Sequence, residues 1–71
     1  MKFVPERLEV SAGDTIVWTN RDFVPHSVTA PGVESGDLGE NASWTLTARQ
    51  KGEMAYICRL HPVMRAFLIV R

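Results

Sequence analysis

Apolar and polar residues alternate with period two along most of the chain, and turn-forming residues interrupt the alternation every few positions. Leu8 and Val10 flank Glu9, and Ser11-Ala12-Gly13-Asp14 then reads as a turn. Ile16 and Trp18 share one face of the next segment, opposite Thr15, Val17 and Thr19, until Asn20-Arg21-Asp22 breaks it. Residues 26–30 (HSVTA) predict a short strand closed by Pro31-Gly32. Trp44, Leu46 and Ala48 alternate with Ser43, Thr45 and Thr47. After a turn at Gln50-Lys51-Gly52, Met54, Tyr56 and Cys58 line one face, and residues 66–71 form a final strand. Successive side chains of a strand point to opposite faces, so this alternation marks strands with one buried side. Six short strands with tight turns predict an all-β fold, a Greek-key β-sandwich or barrel. Residues 31–41 carry three glycines and three acids and read as a surface loop.

Composition narrows this picture. Seventy-one residues predict a single domain, residues 1–71. A chain of this size buries roughly 60% of its surface, so a metal, an oligomer or a larger parent chain would help it fold. Eight basic and eight acidic residues are scattered, which argues against nucleic-acid or anionic-membrane partners. No apolar run approaches the ~20 residues of a membrane-spanning helix. The opening MKFVPERLEV lacks the apolar core and cleavage site of a signal peptide, which predicts a cytosolic protein or a trimmed chain. A lone cysteine excludes an internal disulfide.

That cysteine sits in CRLHPVM, residues 58–64. Cys58, His61 and Met64 are three residues apart, directly after a strand, in a short loop stiffened by Pro62. One tight segment can aim three side chains at one point. A fourth donor has to come from elsewhere, and His26, the only other histidine, follows Pro25 at the mouth of a strand. Thiolate and imidazole suit copper or zinc, whereas calcium and magnesium want oxygens. Thioether is a poor zinc ligand. Two histidines, one cysteine and a weak axial methionine is the donor set of blue-copper electron-transfer sites. Taken singly, each residue has a blander role: Cys58 as a small core hydrophobe, His26 as a loop residue, Met64 as core filler. Their joint spacing favours the metal. A Cys58–His61 nucleophile is disfavoured because no Asp or Glu lies between residues 54 and 71 to orient the histidine.

The stretches F.P..LEV.AGDTIVWTN.D..PHSVTA, SWTLTA and Y.CRLHPVMRAFLIV make the chain resemble the small type 1 copper proteins, the cupredoxins, in particular the amicyanin and bacterial plastocyanin-like branch. The resemblance runs from Lys2 to Arg71. It implies that His26, Cys58, His61 and Met64 bind one copper ion, and that the protein shuttles single electrons between redox partners in the bacterial periplasm and is not an enzyme. It also implies that Ser27 donates its backbone N–H to the cysteine sulfur while its side chain ties to the ligand loop, and that electrons leave by the edge of His61. Around that edge Pro25, Leu60, Pro62 and Val63 would form an apolar docking surface. Three departures from the family pattern stand out. The strand that normally precedes Lys2 and lies between neighbours in one sheet is lacking. Arg59 replaces a small or polar residue after the cysteine, a cation that should disfavour Cu(II). Ala66 replaces a glycine. In the family's register Ala55, Ile57, Phe67 and Ile69 would face solvent, and that patch or the unpaired sheet edge predicts a homo-oligomer. A copper carrier or storage domain, and a module of a larger redox enzyme, are the alternative functions.

Overall fold

The computed structural model describes residues 2–71, which form seven strands and no helix. They are β1 (Arg7–Val10), β2 (Thr15–Thr19), β3 (Thr29–Ala30), β4 (Val33–Glu34), β5 (Ser43–Thr47), β6 (Gly52–Cys58) and β7 (His61–Val70). One sheet has the order β1-β7-β6-β3-β4, and β2 and β5 form the other. The chain changes sheets between β1 and β2, β2 and β3, β4 and β5, and β5 and β6, which is the Greek-key trait of a sandwich. With no helix, the described residues contain none long and apolar enough to cross a membrane.

The period-two pattern dictates what lies between the sheets. Tyr56, Ala66, Leu68 and Val70 come from the larger sheet and Ile16 from the smaller. With Val28 and Ala48 they form the buried core, flanked by Phe3, Leu8, Val10, Trp18, Trp44 and Met54. Trp18 and Tyr56 meet edge-to-face across the sheets with ring centroids 5.5 Å apart, and Trp18 Nε1 donates to the Tyr56 hydroxyl at 3.3 Å. An edge-to-face pair places the positive ring edge on the negative face of its partner, so the two sheets are locked in angle as well as in distance.

Three expectations change. Residues 26–30 are strand only at Thr29–Ala30, because His26 bridges to Leu38 instead. The acidic loop contains β4, which folds back on β3 around Pro31-Gly32, with Gly32 supplying the positive φ of 76° that the reversal needs. The last strand begins at His61 rather than at Ala66.

The predicted outward patch is smaller than expected. Phe67 is 47% exposed and Ala55 is exposed, but Ile57 is half-buried and Ile69 is buried at 8%. β7 is an interior strand, and Glu9 on β1 and Glu53 on β6 stand directly opposite Ile69. Their aliphatic stems can cover it while their carboxylates reach water. Among the described residues β2 pairs only with β5. Leu8 and Val10 pair with β7 in parallel and leave the outer edge of β2 open. A cavity of about 370 Å³ lies along this edge, between residues 2–5 and 16–22, with Tyr56 and Met64 also in its wall.

Candidate metal centre

Cys58 is the last residue of β6 and has no solvent exposure. Arg59 and Leu60 make the turn, and β7 returns with His61 opposite Cys58. Pairing then jumps to Arg65 opposite Ile57, so Pro62, Val63 and Met64 are extra residues on the β7 side. An irregularity of this kind bends one strand and re-aims its side chains. Here Met64 turns inward to 4% exposure while Val63 stays 87% exposed. The predicted ligand loop is thus a bulged hairpin, and Pro62 stiffens its solvent side.

His26 arrives from a separate segment, between β2 and β3. Its N–H donates to Leu38 O at 3.0 Å, and its carbonyl accepts from Leu38 N at 2.7 Å. Asn20, which sequence reading treated only as a strand breaker, is buried and fixes this region. Its side-chain amide donates to Val24 O and Leu38 O, both at 2.8 Å, and its Oδ1 accepts from Asp22 N at 2.8 Å. Three bonds from one buried side chain hold the loop that ends in His26 against the segment at Leu38 that bridges to it.

The two segments meet at sulfur. His26 Nδ1 lies 3.6 Å from Cys58 Sγ, and its Nε2 lies 2.8 Å from Asp22 Oδ2. The His61 ring is half-buried, with its centroid 5.2 Å from that of His26. Donors that share one metal, at about 2.3 Å for sulfur and 2.0–2.1 Å for nitrogen in tetrahedral geometry, stand about 3.6 Å apart. Two imidazoles on one such ion have ring centres about 5 Å apart. Both separations fit. Among the described residues no three His, Cys, Asp or Glu groups form a tight metal cluster, and the remaining donor here is the thioether of Met64. The two measured separations, His26 to Cys58 and His26 to His61, are those that donors sharing one ion would have.

Electrostatics favour a thiolate. Burial opposes ionisation of Cys58, but His26 and the backbone N–H groups of Ser27, His61 and Leu60 outweigh it and hold the thiol below its ordinary value. Burial likewise disfavours the His26 cation, and the Cys58 sulfur and Asp22 carboxylate overcome it, so His26 lies above an ordinary imidazole. Ser27 occupies the position expected for it. Its N–H donates to Cys58 Sγ at 3.4 Å, and its Oγ accepts from Arg59 N at 3.0 Å. The guanidinium of Arg59 is not a free cation, because it pairs with Glu34 at 3.3 Å and with Asp37. Asp22, Asn20, Glu34 and Asp37 carried no motif that sequence reading could use. The polar Asn-Arg-Asp triplet ahead of Pro25-His26 was the one available signal.

Comparison with known proteins fits this geometry. No family model matches the chain. It is 32% identical over 77 residues to amicyanin-alpha of Methylorubrum extorquens, covering 99% of this chain and 65% of the relative. It is 35% identical over 80 residues to amicyanin of Paracoccus denitrificans, covering 99% and 59%. The Cu(I) form of an amicyanin variant superposes on the whole chain with a TM-score of 0.96 at 31% identity, and 74% of that chain is covered. The chain belongs to the amicyanin-type cupredoxins. It spans 65% and 59% of the length of the two curated relatives. The shared part holds both sheets and both segments of the candidate centre.

Proposed function

We propose that the protein binds one copper ion through His26, Cys58, His61 and Met64 and serves as a single-electron carrier, not an enzyme. The observation that carries this reading is the His26–Cys58 approach of 3.6 Å, made by two segments whose own hydrogen bonds fix them independently of any metal. Bound copper would supply the one-electron Cu(I)/Cu(II) couple. The chain supplies the rest. Cys58 is excluded from water, three backbone N–H groups stabilise its thiolate, and Asp22 holds His26 so that Nδ1 faces the sulfur. Met64 sits inward as the weak donor. A frame built in this way changes little between oxidation states, and that speeds electron transfer.

His61 is the donor nearest solvent. Leu60, Val63 and Pro25, close to His61 or His26 in the chain, are exposed, and Phe23, three residues before His26, is 86% exposed and joins this proposed face. A small apolar face of this kind suits brief docking to redox proteins that must release quickly. The periplasm is the place of action that the resemblance implies. Of the two grounds given for a homo-oligomer, the unpaired sheet edge carries the proposal: among the described residues the outer edge of β2 has no partner strand, and such an edge is a template for pairing. Sedimentation equilibrium at micromolar concentration checks it, and a clean 8.0 kDa monomer would defeat it.

Addition of Cu(II) should give an intense thiolate charge-transfer band in the visible, and Cys58→Ser should abolish it. A Cys58→Ser protein that keeps the band would sink the assignment. A carrier or storage domain would instead surrender its copper to a chelator within minutes.

A further inference from the structure

The hydrogen bonds around Arg59 form a closed circuit whose direction is fixed by chemistry. Glu34 Oε1 accepts from the Thr29 hydroxyl at 2.9 Å and from Arg59 Nε at 3.3 Å. An ionised carboxylate has no proton to give, so the single hydroxyl proton of Thr29 points at Glu34. The 2.9 Å contact between Ser27 Oγ and Thr29 Oγ1 must then be a donation from Ser27 to Thr29. With its proton spent, Ser27 Oγ has only lone pairs for its remaining neighbour, the backbone N–H of Arg59 at 3.0 Å. The sequence of donors runs from Arg59 N–H to Ser27, to Thr29, to Glu34, and the carboxylate at its end is gripped by the side chain of Arg59 itself. Bonds aligned in one direction polarise and strengthen each other.

Ser27, in the middle of this circuit, is fully buried and donates its own backbone N–H to Cys58 Sγ. Glu34 is further held by Gly36 N at 2.7 Å, and Asp37 takes the other arm of the guanidinium. We infer that Arg59 and Glu34 are positioning residues: through Thr29 they lock Ser27 in the orientation that presents its N–H to the Cys58 sulfur. This goes beyond a cation acting on the site by charge, and for its copper-dependent consequence it rests on the copper reading above.

Thr29→Val separates the two effects, because it removes the relay hydroxyl without altering shape or charge. In the metal-free protein, alkylation of the buried Cys58 by iodoacetamide requires local opening. Loss of one link should speed it about 2- to 10-fold, the range that one hydrogen bond is worth. In the copper-loaded protein, a weaker N–H···S bond leaves more electron density on sulfur, so the reduction potential should fall. Arg59→Lys keeps the charge but not the fork that reaches Glu34, and should move both readouts in the same directions. Thr29→Val with parental alkylation rate and parental potential, beside an Arg59→Ala protein whose potential falls, would overturn the inference and leave Arg59 as a charge alone. If no copper binds at all, the function proposed above fails, while the alkylation rates still decide whether the circuit holds Ser27.

Discussion

Replacing Asn20 with alanine tests whether one buried amide builds half of the metal centre. The side chain makes three hydrogen bonds at 2.8 Å, two to carbonyls of Val24 and Leu38 and one from Asp22 N. Each is worth about 0.5–1.5 kcal/mol net, and a partner left buried without water raises that to about 1–3 kcal/mol. Val24 and Leu38 are half-buried, so water can reach part of what is exposed. The sum is about 2–4 kcal/mol. A domain this small has a total stability near the lower end of about 5–15 kcal/mol, and each kcal/mol moves the midpoint by about 4–8 °C. Urea unfolding of the metal-free protein, followed by tryptophan fluorescence, should therefore show a clear drop in midpoint with an unchanged slope. Copper retention should fall as well, because the loop that ends in His26 is no longer pinned to Leu38. A loss below about 0.5 kcal/mol would refute the argument, since it would mean that the loop is held by something other than these bonds.

Three further outcomes can be checked. Asp22→Asn removes the carboxylate on His26 Nε2 and should weaken copper retention about 10- to 100-fold in a chelator competition, as loss of such outer partners usually does. Met64→Gln should lower the reduction potential and leave copper bound, and complete loss of copper would show that the thioether holds rather than tunes. The third concerns acid. Arg71, and then Arg7, hold the Glu9 carboxyl below its ordinary 4.5. A depressed folded value gives stability that is present above 4.5 and lost as pH falls through the folded value. Glu9→Gln should therefore lose this small, solvent-screened contribution above 4.5, and its unfolding-versus-pH curve should converge with the parent's as pH falls below 4.5, which flattens the acid limb.

The strands that were legible in the sequence are those with one wet face. Ile16 and Trp18, and Met54, Tyr56 and Cys58, announce themselves by alternation because water lies on their other side. The same signal misleads at Ile69, which occupies an outward position but is flanked by Glu9 and Glu53, so burial there depends on neighbours rather than on period. β3 and β4 are two residues each, too short to show any period. The proposed donors could be picked out because copper chemistry restricts residue type. The groups that hold them were harder to read: Asp22 lies only four residues from His26 but in no recognisable motif, and Asn20 and Glu34 also bond Leu38 and Arg59, which only the fold brings near. Arg59 shows the limit most plainly: its charge is evident in sequence, whereas the two carboxylates that absorb it lie more than twenty positions away.

The parallel pairing of β1 with β7 has a mechanical consequence. Its backbone ladder extends from Glu6 O, which accepts from Phe67 N, to Ala12 N, which donates to Arg71 O. A force drawing the N-terminal side of β1 and the C-terminal side of β7 apart runs along the strands, so the ladder is loaded in shear and its bonds must yield together rather than one after another. The load path crosses β7 from Arg71 to Phe67 and leaves the hairpin at Cys58–His61 outside the stretched segment. A tether at either end would thus strain the far end of the sandwich before it disturbed the metal centre.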